Sequence, residues 1–287
     1  MCRSVVDDDC TKSPEFLSFM QRVIEQETAY AARMVAILQP PIPHASPAGV
    51  GIVVGCYGLP GLARLQVRMI RATCGQVPIL LADDGSGRDA EFEAIADTEP
   101  DVTFWPSDVR RGHYAGDLSV YWKGLQWGHT RGFRWLVKLS QRFLWTQPGW
   151  LAEAVEMWER SGTATLMQRC MDSGGGKLPS PVNLFVRTEC MAFDVGAWIP
   201  HFREFDQQRL GNPTELYVWD LVCRHFGERF AEWPGLTVDR YAETPGTVWH
   251  GSHNEQPYRE LADRFRVTLD AEFSTDGWQT RKDWLRG

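Results

Sequence analysis

From Gly49 onward, short and wholly apolar runs alternate with longer stretches whose apolar residues recur at helical spacing. That alternation allows little besides a largely parallel sheet covered by helices, because strands buried on both faces lose the polar half of the usual strand pattern. GVGIVVG (49–55) is such a run, and Pro60 then opens a segment in which Leu62, Leu65, Met69 and Ile70 share a helical face. PILLA (78–82) predicts a second strand, DAEFEAIAD (89–97) a short helix and VTFW (102–105) a third strand. The next helix carries Leu118, Tyr121, Trp122 and Leu125 on one side, and RWLVKL (134–139) predicts the fourth strand. Leu151, Ala154, Val155 and Trp158 then stand at i, i+3, i+4 and i+7. TATLMQ (163–168) and NLFVR (183–187) read as further strands around a glycine-rich loop, DSGGGKLPS, for which the sequence predicts mobility.

Ahead of this region, residues 15–38 set Phe16, Phe19, Val23, Ala29 and Met34 at loosely helical spacing, and the prolines of QPPIPHASPAG stop the helix. The expected organisation is an amino-terminal helix and proline-rich linker (1–44), an α/β domain (45–260) and a carboxyl-terminal extension (261–287). A chain of 287 residues with 43% hydrophobic and 23% charged content is globular, and at this size it holds a core without disulfides or structural metal.

Charge and cysteine usage narrow the function. With 30 basic against 37 acidic residues, a net charge of -7 and no basic stripe, non-specific nucleic-acid binding is excluded as the main task. The seven cysteines are odd in number and form no C-x-x-C, which argues against a disulfide framework or zinc knuckle and for a reducing cytoplasm. MCRSVVDDDC has no apolar signal region, and no apolar run approaches the ~20 residues of a membrane span. No transmembrane segment is expected, and peripheral membrane association stays open. The 13 tryptophans read first as core filling.

Two loops carry the candidate chemistry: GCYGLPG (55–61) after the first strand and ADDGSGRD (82–89) after the second. Glycines there let the backbone turn sharply near a ligand, and the acidic pair can accept from a ribose or base. As a nicotinamide site, Gly55, Gly58 and Gly61 replace the G-x-G-x-x-G turn at the wrong spacing, crowded by Tyr57 and Pro60. As an S-adenosylmethionine site, DDGSG follows the second strand where the first is expected.

The stretch GIVVGCYGLPGLARLQVRMIRATCGQVPILLADDGSGRD resembles the opening of a GT-A-type glycosyltransferase, a divergent member of the nucleotide-diphospho-sugar transferases. That resemblance implies a Rossmann-type, mixed but mostly parallel sheet flanked by helices. It also implies nucleotide contacts at Gly55, Tyr57, Asp83 and Asp84, with the acidic pair on the base and ribose. FVRTECMAFDVGAW (185–198) and NPTELYVWDLVCRHFG (212–227) resemble the family's acceptor-side segment.

The departure comes at the fourth strand, where the family's metal-binding D-x-D is replaced within VKLSQRF (137–143). Lys138 and Arg142 are then the candidates to neutralise a leaving diphosphate, with His113, Arg110 and Arg111 able to add to the same anion site. Lys138 lies inside an apolar strand, so its charge requires an anionic partner there. His250 and His253 of VWHGSHN stand where some relatives carry a metal or diphosphate histidine, but they have no evident third ligand for zinc. Arg187 and Glu189 fall on the acceptor or diphosphate side. Glu215 is either the third residue of a capping box opened by Asn212 or the general base; Leu216 replaces the family's second acid, and Asp220, Asp194 and Glu189 are the reserves.

The reading is therefore a metal-independent transfer of a sugar from a nucleotide-sugar donor to a saccharide or other hydroxyl acceptor, as in glycan or cell-surface polysaccharide synthesis. It needs no cofactor. The competing class is a non-catalytic nucleotide- or glycan-binding relative, favoured by the absent D-x-D.

Overall fold

The computed structural model describes residues 49–171, 184–201, 214–227, 230–232, 238–240, 248–250, 255–271 and 273–275. At some of these, His113, Arg187, Glu189, Glu215 and His250 among them, it describes the backbone alone. The expected amino-terminal helix and linker, the glycine-rich loop and His253 lie outside the described residues.

The first apolar run forms β1 (Val50–Cys56), buried along nearly its whole length, with β2 (Ile79–Asp83) parallel on one side and β4 (Trp135–Ser140) parallel on the other. β3 (Val102–Trp105) continues the parallel set beyond β2. On the far side of β4 lie β7 (Leu184–Asp194), then β6 (Thr165–Met171) and β8 (Phe230–Glu232). The order is β3-β2-β1-β4-β7-β6-β8; β7 pairs antiparallel with both neighbours, while β8 is parallel to β6. The expected α/β class and the mixed, mostly parallel sheet are both observed. A second, three-stranded sheet, β5 (Phe143–Trp145) with β9 (Val238–Arg240) and β10 (Val248–His250), has no counterpart in the sequence reading.

The two faces of β1 explain its composition. Val50, Ile52, Val54 and Cys56 join one core with Ala63, Val67 and Ile70 of α1 (Pro60–Cys74). On the opposite face, α3 (Gly112–Arg131) packs so closely that a Cβ at Gly51 would lie 2.7 Å from Phe133 and Trp127, and one at Gly55 3.0 Å from Val120. The helix is equally bare: a Cβ at Gly124 would meet Val53 at 2.9 Å and one at Gly128 would meet Leu136 at 2.7 Å. α2 (Asp89–Thr98) and α4 (Trp150–Ser161) complete the cover, with Trp135 stacked on Trp158 at 4.7 Å and Trp145 on Trp150 at 3.7 Å. These four tryptophans, with Trp105, Trp127 and Trp198, are fully buried, as the core reading expects.

The stripe Leu62, Leu65 and Met69 does not face the sheet. It packs with Leu59 and Leu144 against Tyr258, Leu261, Ala262 and Phe273, so that α7 (Glu255–Arg264) and the segment after it cover the outside of α1. The expected boundary at 260 thus falls inside a helix that belongs to this core. α5 (Val195–Trp198) is a single turn after β7, and α6 (Thr214–His225) follows later in the chain. Among the described residues no helix is long and apolar enough to cross a membrane.

Candidate functional site

The chain leaves β1 toward β2 and returns to β4 on the other side, so the strand order reverses between β1 and β4. Open α/β sheets take their ligands in the crevice beyond the carboxyl ends at such a point. Gly55 and Ser140 form the last register pair there. The turns that follow are bolted together: Gln141 donates its backbone N–H to Gly55 at 3.0 Å, its Oε1 accepts from the Tyr57 amide at 2.8 Å and its Nε2 donates to the Leu59 carbonyl. From α1, the buried Gln66 donates to the carbonyls of Phe143 at 2.6 Å and Ser140 at 3.2 Å. Neither glutamine was singled out from sequence, although a fully buried Gln in an apolar helix stripe is the signal that could have found one of them.

Asp83 and Asp84 do converge on this edge, but they face inward, with 1% and 7% exposure. The Asp84 carboxylate accepts from the Arg111 amide at 3.0 Å and the Gly112 amide at 3.1 Å, holding the start of α3, where a carboxylate also meets the positive end of the helix dipole. Gly116, one turn later, leaves the carboxylate its room, since a Cβ would lie 2.2 Å from Oδ2. Asp83 accepts from the Ser86 amide at 2.7 Å, and its other carboxylate oxygen is buried with no hydrogen-bond partner among the described residues. Gly85 has φ +68 and abuts the Arg110 backbone at 2.6 Å from its Cβ position, which fixes the D-D-G-S turn against the loop before α3. Asp84 thus reaches the expected edge with each of its oxygens accepting one backbone amide.

Burial sets the electrostatics. It raises the Asp84 carboxyl to about 6 against the downward pull of those two amides, and it raises Asp83 as well. Lys123, 1% exposed, donates to the carbonyls of Asp83 at 2.7 Å and Pro106 at 3.2 Å, and burial lowers its ammonium to about 8. Sequence reading missed this lysine, although a cation inside VYWKGLQW was a visible anomaly.

On the solvent side, Arg110 lies over the Tyr57 ring at 4.8 Å. The Cβ side of Gly55 is filled by Val120 and that of Gly61 faces Phe273, so both glycines allow close packing here. Lys138 is fully buried and its anionic partner is Asp117 of α3, with Ser140 Oγ accepting from the same ammonium at 3.0 Å and the Tyr121 ring centred 5.1 Å away. The anion that the sequence demanded for Lys138 is therefore a protein carboxylate. Arg142 is partly buried between β4 and β5, and its carbonyl accepts from Tyr258 at 3.1 Å.

Backbone positions place the remaining candidates. His113 lies in the first turn of α3, next to Gly112. Glu189 precedes Cys190, the partner of Leu139, so it stands level with Ser140 at the carboxyl end of β4 and Arg187 lies beyond that end; His250 pairs with Phe143, one residue past Arg142. Glu215 is the second residue of α6. Of the reserves, Asp194 pairs with Trp135 at the amino end of β4 and caps α5 through the Ala197 amide at 2.9 Å, and Asp220 is exposed and bonded to Arg224 at 2.8 Å.

No protein-family model matches the chain, and no curated protein matches it in sequence. Solved structures do match in fold. The galactosyltransferase LgtC, solved with donor and acceptor sugar analogues, is 10% identical, with 77% of this chain and 98% of that one covered at a TM-score of 0.50. The bifunctional glycosyltransferase WbbM is 9% identical, with 83% of this chain and 52% of that one covered at 0.53. A 4-diphosphocytidyl-2C-methyl-D-erythritol synthase from Anaerococcus prevotii also aligns, 8% identical over 76% of this chain and 95% of that one, but its TM-score of 0.48 carries no argument. At these identities the likeness concerns the fold alone, which is of the GT-A type.

Proposed function

We propose that the chain is a glycosyltransferase that moves a sugar from a nucleotide-sugar donor to a hydroxyl acceptor. One observation supports this most. The crevice at the β1/β4 reversal has an aromatic ring with an arginine over it on one lip and the Ser140-Gln141-Arg142 turn on the other, on a GT-A frame. Tyr57 and Arg110 form a flat surface suited to a base, and Arg142, joined by Arg111 and His113, supplies cations for a diphosphate.

A divalent cation does not fit the turn. Where the fold's metal-binding carboxylates are expected, this chain has a hydroxyl, an amide and a guanidinium, and Gln141 is already spent on Tyr57 and Leu59. Charge developing on the leaving phosphate then falls to fixed donors. In this reading Glu215 takes the acceptor's proton, which implies direct displacement with inversion. The roles left for Arg187, Glu189, His250 and His253 in this reading are on the acceptor or diphosphate, and the proposed compartment is the cytoplasm.

A panel of nucleotide-sugars in a thermal-shift assay tests the reading. A ligand at 100 times its Kd adds about 2.7 kcal/mol of stability. A hit that is also slowly hydrolysed supports a transferase. A hit with no hydrolysis and no transfer supports the non-catalytic binder, a class favoured by how fully Lys138 and Asp84 are already partnered. No stabilisation by any nucleotide-sugar overturns both.

A further inference from the structure

Lys138, Asp117 and Ser140 make a chain that leads from the interior to the mouth of the crevice. Lys138 Nζ has no exposure, and its charge is met by Asp117, whose side chain keeps 21% of its surface. A second N–H of the ammonium goes to Ser140 Oγ at 3.0 Å. A serine hydroxyl has two lone pairs and one hydrogen. With a lone pair held by the ammonium, its hydrogen is left to be donated, and among the described residues no acceptor takes it. Ser140 is partly exposed and pairs with Gly55 at the final rung of β1 and β4, where the strand order reverses. Its carbonyl is fixed by Gln66 and the next residue is locked to Tyr57 and Leu59, so the hydroxyl stands on a rigid base.

We propose that Ser140 is a phosphate-binding residue, its hydroxyl donating to a phosphate oxygen of the bound nucleotide, with Lys138 and Asp117 as the positioning residues that aim it. This rests on the transferase reading above and gives it a different division of labour: Lys138 acts through Ser140 and does not touch the ligand. A hydrogen bond that an ammonium donates to the serine oxygen polarises the O–H, which strengthens the bond the hydroxyl makes to an anion. The neutralised Lys138–Asp117 pair adds no net charge, so the site selects by hydrogen-bond direction as well as by charge.

The test is calorimetry with UDP and GDP beside uridine and guanosine, on the wild type and on Ser140→Ala, Ser140→Thr, Lys138→Met and the Ser140→Ala/Lys138→Met double variant. Ser140→Ala is expected to weaken the preferred nucleoside diphosphate by about 10- to 100-fold, the range for hydrogen bonds to charged groups, and to leave its nucleoside unchanged. Ser140→Thr keeps the hydroxyl and restores binding. Lys138→Met shifts binding in the same direction, and the double variant is no weaker than the worse single one, the signature of two residues acting as one unit. Should Lys138→Met fail to fold, the alanine and threonine pair still decides. Unchanged diphosphate affinity in Ser140→Ala, or equal loss for diphosphate and nucleoside, overturns the assignment while leaving the transferase reading standing. A wild type that binds no nucleoside diphosphate overturns the transferase reading and this assignment with it.

Discussion

Burial holds the Asp84 carboxyl at about 6 instead of its ordinary 3.8, so the folded protein binds this proton more tightly than the unfolded chain. The contribution to stability is complete below the unfolded value and is lost as pH rises through about 6. At about 1.4 kcal/mol per pH unit this amounts to about 3 kcal/mol between pH 4 and pH 7. Asp83 adds to it in the same direction. Denaturant unfolding of the wild type and Asp84→Asn across that window is expected to show the variant's stability gaining on the wild type's as pH rises; parallel curves refute a carboxyl raised by burial. D-D-G-S was legible as a special turn at the end of the second strand. What could not be read was the direction of its carboxylates, because their partners are backbone amides 27 and 28 residues further on, which a ligand would mimic. The base is a second question at this scale. Glu215→Gln can still close a capping box, so turnover should fall by about 100- to 10,000-fold with donor binding intact if Glu215 removes the acceptor proton. Wild-type turnover moves the role to Glu189, the reserve on the carboxyl side of β4.

Elements with a strong apolar period were legible, and those defined by partners were not. The runs at 49–55, 78–82, 102–105 and 134–139 became β1 to β4 because each is long enough, or apolar enough, to have no other place than the core of an α/β sheet. β5 is three residues long, too short to show a period, and exists through its pairing with β10. α7, EQPYRELADR, is polar by composition and enters the core through Tyr258, Leu261 and Ala262. Leu261→Ala should therefore cost about 2–4 kcal/mol in urea unfolding, and a chain ending at 260 should lose more, since Leu62, Leu65 and Met69 then face water. An unaffected midpoint returns the boundary to 260. α3 shows the opposite case, in which side chains are missing by necessity. In an exposed helix Gly→Ala gains about 1 kcal/mol, but at Gly124 the added methyl meets Val53 of the central strand at 2.9 Å. Gly124→Ala is expected to destabilise by about 1–3 kcal/mol, and a gain in stability would show that α3 can shift away from β1. The glycine spacing of this helix was in view in the sequence, yet only the close approach of Gly116, Gly124 and Gly128 to Asp84, Val53 and Leu136 gives it a reason.

At the scale of the whole molecule, a chain of net charge -7 offers no general attraction to an anionic donor, so neutralisation must be local to the sheet edge. Lys138, the cation most deeply placed there, is cancelled by Asp117, and Lys123 serves two carbonyls. Arg142 lies in the turn where the fold's metal carboxylates are otherwise expected, and Arg110 stands on Tyr57. A guanidinium fixed beside a leaving phosphate stabilises charge that develops in the transition state more than charge present in the ground state. Arg142→Ala is thus expected to cut turnover by about 100- to 1,000-fold with a much smaller change in donor affinity. Under the metal-independent reading proposed above, EDTA is expected to leave turnover of the wild type unchanged. The two measurements check each other. If EDTA abolishes transfer and Mn²⁺ restores it while Arg142→Ala turns over normally, the diphosphate is neutralised by metal after all, and His250 and Asp84 become the ligands to mutate first.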